Sequence, residues 1–358
     1  MPDGCSYVLD SYLFDFTPLT RKLSKASKNK EIKLYLEAPQ GFVRLLRRIS
    51  GFLEECLASR GYRVSTHVKL EPSFGACSLS IDDLRYIGEN VFLIHIGHEP
   101  YVYPLCVGRQ CMYEARNGNI VFIPGEYLGG DTEKLLLNIV EFTKDKDVKR
   151  LGLGYSVQHK SLAHKLATIL SQQGYEVKIV APVLGCYYYN LLKQRELVDA
   201  YMIVAGGYFH ALGLGLALGG SKIVMRVDPY TNRVEDISRD IVRVLSKRYW
   251  LLASLDNVRN LGIIMGLLPG QYRPWIASFI ESLAQRRGIK TQRLYARYLS
   301  REILDNLSPD DYDAYVVTSC PRLAIDDLGD YWKPVLTPAE ARLWLMSAKY
   351  ELDYTFPW

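Results

Sequence analysis

Three cysteines of this chain, Cys77, Cys186 and Cys320, lie far apart in sequence, yet each follows a β-like run in a turn marked by glycine or proline. The turns read Phe74-Gly75-Ala76-Cys77, Leu184-Gly185-Cys186 and Ser319-Cys320-Pro321. Thiolates are soft ligands, and three of them can hold a four-iron cluster while leaving one iron position open for substrate chemistry. The other four, Cys5, Cys56, Cys106 and Cys111, read as small buried apolar residues, with Cys56 on or near the apolar face of a helix. Seven cysteines at irregular spacing do not resemble a secreted disulfide framework, so reduced thiols are expected. Cys106 and Cys111 have no second pair of cysteines or histidines nearby to complete a zinc site.

Few other residues suggest chemistry. Ile94-His95-Ile96-Gly97-His98 carries a His-x-x-His pair that suits either zinc or a buried hydrogen-bonded histidine, and the spacing leaves both open. Gly206-Gly207-Tyr208-Phe209-His210 offers a close backbone approach to a ligand, or a plain tight turn. No Gly-x-Gly-x-x-Gly joins a first strand to its helix, which disfavours nicotinamide chemistry. A zinc hydrolase built on His95 and His98 would lack the His-Glu-x-x-His spacing that places a base beside the metal. Asp82-Asp83 and Asp326-Asp327 follow cysteines by a few residues and read as caps of the next helix. Arg322 can pair with a carboxylate ligand or make a surface or interlobe salt bridge.

The elements that must position these residues repeat. Apolar runs at 32–36, 151–157 and 261–268 each lead into an amphipathic helix, a glycine (Gly61, Gly174, Gly288) and a second β-like run. Glycine just past a helix fits the left-handed C′ position, so these are strand–helix–strand units with parallel crossovers. Third strands follow at 91–96, 199–204 and 313–318, the last two opening on Asp-Ala-Tyr, and fourth runs at 120–123, 223–227 and 334–336. The fold class expected is α/β, with three similar β/α lobes of mainly parallel sheets at 1–125, 126–235 and 236–358. Ligands of such sheets bind beyond the carboxyl ends of the strands, where the three cysteines stand.

At 358 residues and 48% hydrophobic, the chain has material for several packed cores. A net charge of +5, from 44 basic and 39 acidic residues, is no argument for nucleic acid. No apolar run reaches the roughly 20 residues of a membrane span, and no secretory leader is visible, so a cytoplasmic protein without direct nucleic-acid or membrane contact is expected.

Seven motifs in order, Ser73 to Cys77, Ile94 to His98, Val183 to Cys186, Gly206 to His210, Asp228-Pro229-Tyr230, Pro269-Gly270-Gln271 and Thr318 to Arg322, resemble the signatures of the archaeal diphthamide-synthesis enzymes, the 2-(3-amino-3-carboxypropyl)histidine synthase family. The resemblance runs from about residue 30 to 340. It implies a triplicated α/β fold in which Cys77, Cys186 and Cys320 bind one [4Fe-4S] cluster, a homodimer, and an unconventional radical use of S-adenosylmethionine fed by an electron donor. The implied reaction moves a 3-amino-3-carboxypropyl group to C2 of a histidine imidazole in translation elongation factor 2, leaving methylthioadenosine. Gly206, Gly207, His210, Gly270 and Gln271 would then meet the cofactor, and Arg322 its carboxylate. The sequence departs from the family at Glu99, where serine is usual, and at the aromatic Tyr187-Tyr188-Tyr189. A rival from another class is a non-catalytic iron–sulfur or electron-transfer subunit of such an assembly, which the presence of all three cysteines disfavours. Docking of the folded factor, steered by Lys22, Lys25, Lys28 and Lys30, would close the site to water.

Overall fold

The chain opens on a hairpin, β1 (Ser6–Leu9) and β2 (Tyr12–Asp15), whose two-residue turn places Asp10 and Ser11 at positive φ, the backbone twist a tight hairpin needs. The computed structural model describes residues 5–24, 30–80, 90–100, 106–107, 110–111, 119–268 and 270–346, with backbone alone at 106, 107, 110 and 111. Lys25, Lys28, Asp82, Asp83 and Pro269 lie outside the described residues. Two compact units make up the chain: Met1–Gly129 with Leu268–Gly270, and Gly130–Leu267 with Gln271–Trp358. The expected first lobe falls in the first unit; the expected second and third share the other almost wholly.

In the first unit, α1 (Thr17–Leu23) follows the hairpin and leads to β3 (Ile32–Glu37), the short α2 (Gln40–Val43), α3 (Leu46–Ala58), β4 (Val64–Val68) and β5 (Val91–Ile96). A two-residue ladder, β6 (Cys106–Val107) with β7 (Gln110–Cys111), precedes β8 (Ile120–Ile123) and β9 (Glu126–Tyr127). The main sheet runs β4-β3-β5-β8, all parallel, and β9 adds to the hairpin. Alternation along β3 and β5 sends Ile32, Leu34, Leu36, Phe92, Ile94 and Ile96 into the main core. Leu46, Ile49, Leu53 and Leu57 of α3 join them at helical spacing, each side chain worth about 1.5–3 kcal/mol when fully buried. Among the described residues, the opposite face holds a small cluster around Leu79 and Leu93.

One expectation is overturned in this unit. Cys5 and Cys56, expected as reduced core thiols, form a disulfide across 51 residues, their Cα atoms 6.3 Å apart. The hairpin packs on the outer turns of α3, where Tyr7 stacks on Phe52 with ring centroids 4.6 Å apart, and this contact brings the two sulfurs together.

The second unit holds two sheets. The first runs β11-β10-β12-β13-β14, built from β10 (Arg150–Tyr155), β11 (Glu176–Pro182), β12 (Ala200–Val204), β13 (Ile223–Asp228) and an antiparallel edge, β14 (Arg233–Asp236). Its helices are α4 (Thr132–Thr143), α5 (Lys160–Gln172), the short α6 (Tyr189–Leu192), α7 (Tyr208–Ala217) and α8 (Ser238–Ala253). The second sheet runs β16-β15-β17-β18, from β15 (Asn260–Gly266), β16 (Lys290–Ala296), β17 (Ala314–Val317) and β18 (Val335–Leu336), with α9 (Pro274–Arg286), α10 (Arg301–Asp305) and α11 (Pro338–Met346) around it. Both sheets bury both faces, which is why β12 and β17 are continuous apolar runs.

The repeated Asp-Ala-Tyr has a physical basis. Asp199 accepts the N–H groups of Lys149 and Arg150, and Asp313 those of Arg259 and Asn260, so each aspartate ties down the start of the neighbouring first strand. The tyrosines lie over glycines at the same register: a Cβ at Gly152 would stand 2.7 Å from the Tyr201 ring, and one at Gly262 2.8 Å from Tyr315. In the first unit the corresponding register pair is Leu34 with Phe92.

The helix-ending glycines behave as expected. Gly61, Gly174 and Gly288 have φ of 80°, 92° and 71°. The next residue of each, Tyr62, Tyr175 and Ile289, donates its N–H back to Leu57, Leu170 and Ala284, the longer bond of a Schellman cap.

Candidate functional site

Cys77 sits in a turn fastened to the carboxyl end of β3. Ser73 donates its N–H to the Ala38 carbonyl at 2.9 Å, and the Ser78 hydroxyl receives the N–H groups of Phe74 and Gly75. Gly270 closes on the same turn: its N–H donates to the Cys77 carbonyl at 2.9 Å, and a Cβ there would be 2.5 Å from the Cys77 Cα. Only glycine permits that approach.

The polar end of this sheet face carries a hydrogen-bonded chain. Glu37 and His95 are register partners on β3 and β5, both on the face opposite the main core. The Glu37 carboxylate meets His95 Nδ1 at 2.8 Å, and His95 Nε2 meets His98 Nδ1 at 2.9 Å. Glu37 and His95 are buried; His98 is half-buried. Gly97 makes the fold-back possible, with φ of 93° and no room for a side chain against Phe42 and Pro39. Ser80 donates its N–H to the other Glu37 oxygen, and Lys69 bonds the Ser80 hydroxyl. Burial alone would raise the Glu37 carboxyl, but the His95 hydrogen bond and charge, Ser80 and Lys69 together hold it below its ordinary value. The His-x-x-His pair is therefore part of a carboxylate-anchored hydrogen-bonded chain.

In the second unit the turn Leu184 to Tyr187 presents Cys186 beside the first turn of α7. Gly185 lies flat on that helix, for a Cβ would fall 2.7 Å from the Phe209 ring. The Arg322 guanidinium lies over the Phe209 ring, 4.7 Å from its centroid, and Arg322 also pairs with Asp326 at 3.1 Å. Cys186, Phe209, His210 and the Cys320–Arg322 segment thus share one region. Burial, then the Arg322 cation, pushes His210 down to about 4. Among the described residues, its Nδ1, shut from solvent, has no hydrogen-bond partner. Tyr188 is buried among the same groups, its phenol raised well above the usual range by burial and then by Cys186.

Cys320 ends β17 in a turn that Arg273 holds, its guanidinium donating to the Thr318 and Ser319 carbonyls at 3.2 and 2.5 Å. Asp326 and Asp327, expected to cap a helix, lie instead within a π-helical turn, Leu323–Asp327; the Arg322 pairing at i,i+4 takes up Asp326.

The remaining expected residues are placed as follows. Gly206 carries a carbonyl that accepts from Arg226 at 2.9 Å, and its α-carbon faces the Tyr230 ring. Gly207 is exposed at the start of α7. Gln271 is buried against Gly266 at the end of β15. Cys77, Cys186 and Cys320 stand outside the disulfide, each half-buried, Cys77 in the first unit and the others in the second. Among the described residues no three His, Cys, Asp or Glu side chains are grouped as a metal site. The chemistry of the three thiols, half-buried in turns at strand ends, nonetheless fits an iron–sulfur cluster better than a hard cation. Sequence reasoning missed Glu37 and Arg273. The signal for Glu37 was present: an acidic residue closing an apolar strand, on the same face as a histidine of the next strand.

Residues 38–355 match the sequence pattern of the diphthamide synthesis proteins. The chain is 28% identical over 355 residues to a 2-(3-amino-3-carboxypropyl)histidine synthase of Pyrococcus horikoshii, covering 94% of each. It is 24% identical over 345 residues to the enzyme of the same name from Methanocaldococcus jannaschii, covering 93% of this chain and 90% of the relative. The crystal structure of Dph2 from Pyrococcus horikoshii with a 4Fe-4S cluster aligns with a TM-score of 0.75 at 25% identity, over 97% of this chain and 94% of that one. Among the described residues no helix is long and apolar enough to cross a membrane.

Proposed function

The chain belongs to the diphthamide synthesis protein family, and from that premise we propose that it is a 2-(3-amino-3-carboxypropyl)histidine synthase, the enzyme of the first step of diphthamide synthesis. The observation that carries the reading is that, among the described residues, Cys77, Cys186 and Cys320 stand outside the disulfide, each half-buried in a turn past a strand of a different, mainly parallel sheet. We read the three sheets, which share the strand order second, first, third, fourth, as three copies of one β/α unit.

On this reading Cys77, Cys186 and Cys320 hold a [4Fe-4S] cluster. When bound, it supplies the electron that breaks a carbon–sulfur bond of the S-adenosylmethionine sulfonium. The protein's own part is to bind, orient and exclude water. Arg322, two residues from Cys320 and braced by Asp326, offers the methionine carboxylate a guanidinium. His210, held neutral, presents Nδ1 as an acceptor for a donor group of the cofactor. Gly206 and Gly207 precede it, and Gly270 and Gln271 lie in the turn that pins Cys77. The protein substrate is folded elongation factor 2, and the reading carries a homodimer, a cytoplasmic setting and an external electron donor.

Anaerobic protein given dithionite, S-adenosylmethionine and the factor should release methylthioadenosine and add one 3-amino-3-carboxypropyl group to a single histidine, read by mass spectrometry. Alanine at Cys77, Cys186 or Cys320 should abolish iron binding and product, whereas Cys106→Ala keeps wild-type iron. Dominant 5′-deoxyadenosine, or equal iron loss in all four variants, would sink the reading.

A further inference from the structure

The turn that bears Cys186 runs straight into the aromatic stretch Tyr187-Tyr188-Tyr189, where the sequence departs from its family. Tyr187 closes the turn: its N–H donates to the Leu184 carbonyl at 3.1 Å, and its carbonyl accepts from the Leu184 N–H at 3.3 Å. The Tyr187 ring stacks with that of Tyr189, centroids 6.3 Å apart, and the Lys193 ammonium lies 4.5 Å from the Tyr189 centroid. Tyr189 is 50% exposed, and Lys193 is exposed as well. Tyr188, between the two rings in sequence, is buried against α7, where Gly213 leaves room for its hydroxyl. The stretch ends in a short turn, Arg195–Leu197, with Leu197 51% exposed. Arg195 and Glu196 pair with each other at 3.1 Å, so Lys193 sets the net charge of the stretch.

The size of this face decides between occupants. Two half-exposed apolar side chains offer on the order of 200 Å², far below the roughly 800 Å² per partner of a stable interface. Short-lived electron-transfer encounters use the smallest interfaces, and opposite charge steers them together. A donor must also bring its redox centre near a ligand of the centre it reduces, because electron transfer weakens steeply with distance. One peptide bond joins Cys186 to Tyr187, and one ring contact joins Tyr187 to the exposed Tyr189.

We propose that Tyr187, Tyr189 and Lys193 form the docking face for the protein that reduces the cluster, a small acidic electron-transfer protein. The inference rests on the transferase reading and gives a place to the donor that this reading needs. One electron passes from the reduced partner to the cluster held in part by Cys186, and the partner ends one electron oxidised; no bond forms and no proton moves. The rings stay in one redox state and shorten the gap that the electron crosses, while Lys193 draws the acidic partner in.

Reduced plant-type ferredoxin serves as the acidic probe and dithionite as the small reductant, with bleaching of the cluster followed by anaerobic stopped flow. Lys193→Glu should slow reduction by ferredoxin on the order of tenfold at low salt and flatten its salt dependence, with dithionite rates within about twofold of wild type. Tyr189→Leu should slow the ferredoxin reaction too, and Tyr189→Phe, which keeps the ring, should not. Phe74→Leu, at the exposed ring of the Cys77 turn, should match the wild type. Cluster-free protein should bind labelled oxidised ferredoxin, read by fluorescence anisotropy, and lose that affinity with Lys193→Glu. Wild-type rates and affinity in Lys193→Glu and Tyr189→Leu overturn the proposal, as does a wild type that neither binds ferredoxin nor accepts its electron. Equal slowing with dithionite overturns it as damage to the turn. Loss of the dimer, or of dithionite-driven factor modification, with ferredoxin reduction intact overturns it by giving the face to a second copy or to the factor. Wild-type protein that holds no reducible cluster overturns the functional reading, and the anisotropy of the cluster-free variants then decides the docking face by itself.

Discussion

At the scale of single residues, the histidines divide by what surrounds them. His159, buried on the edge of the Tyr230 ring, is pushed down to about 4 by burial, against the opposing pull of Asp228 and with a further push from His210. Its folded value lies below the ordinary value of about 6.5, so between those two pH values the unfolded chain binds a proton that the folded one refuses. Stability from this group is therefore complete above pH 6.5 and lost as pH falls toward 4, by at most about 3 kcal/mol. Urea midpoints at pH 7, 5.5 and 4.5 should fall with acid in the wild type and fall less steeply in His159→Gln; equal slopes would refute the assignment. The cysteines were readable because thiols in turns are chemically distinctive. Arg273 was not, since an arginine past a strand looks like any solvated cation until its guanidinium is seen holding the Thr318 and Ser319 carbonyls.

At the scale of elements, the strand–helix–strand plan was legible because its two signals are local. Apolar runs named the strands, and glycines named the helix ends. A Cβ at Gly61, Gly174 or Gly288 would meet nothing within 4 Å, so the need for glycine there is a backbone need alone. Alanine at any of the three should cost about 1–2 kcal/mol, the left-handed penalty, and Gly174→Asn clearly less. Thermal unfolding of the four variants gives the comparison, and an alanine variant as stable as wild type would contradict it. Interactions between elements were less legible. Neither the Asp199 and Asp313 brackets nor the pairing of Glu37 with His95 can be read without strand register, which a single sequence leaves open.

At the scale of the whole chain, two compact units hold the three main sheets, one in the first unit and two in the second. What no spacing announced was the disulfide, because connectivity depends on which surfaces the fold brings together, here the hairpin and α3. Closing a loop of this length should stabilise the first unit by about 4 kcal/mol through the entropy of the unfolded chain. Reductant should lower the thermal midpoint of the wild type and leave Cys56→Ser unmoved; an unchanged wild-type midpoint would show that the bond contributes nothing. The same link has a consequence for proteolysis. A protease that cuts once anywhere between Cys5 and Cys56 yields two peptides still joined through sulfur, so the nicked protein runs intact on a gel until the sample is reduced.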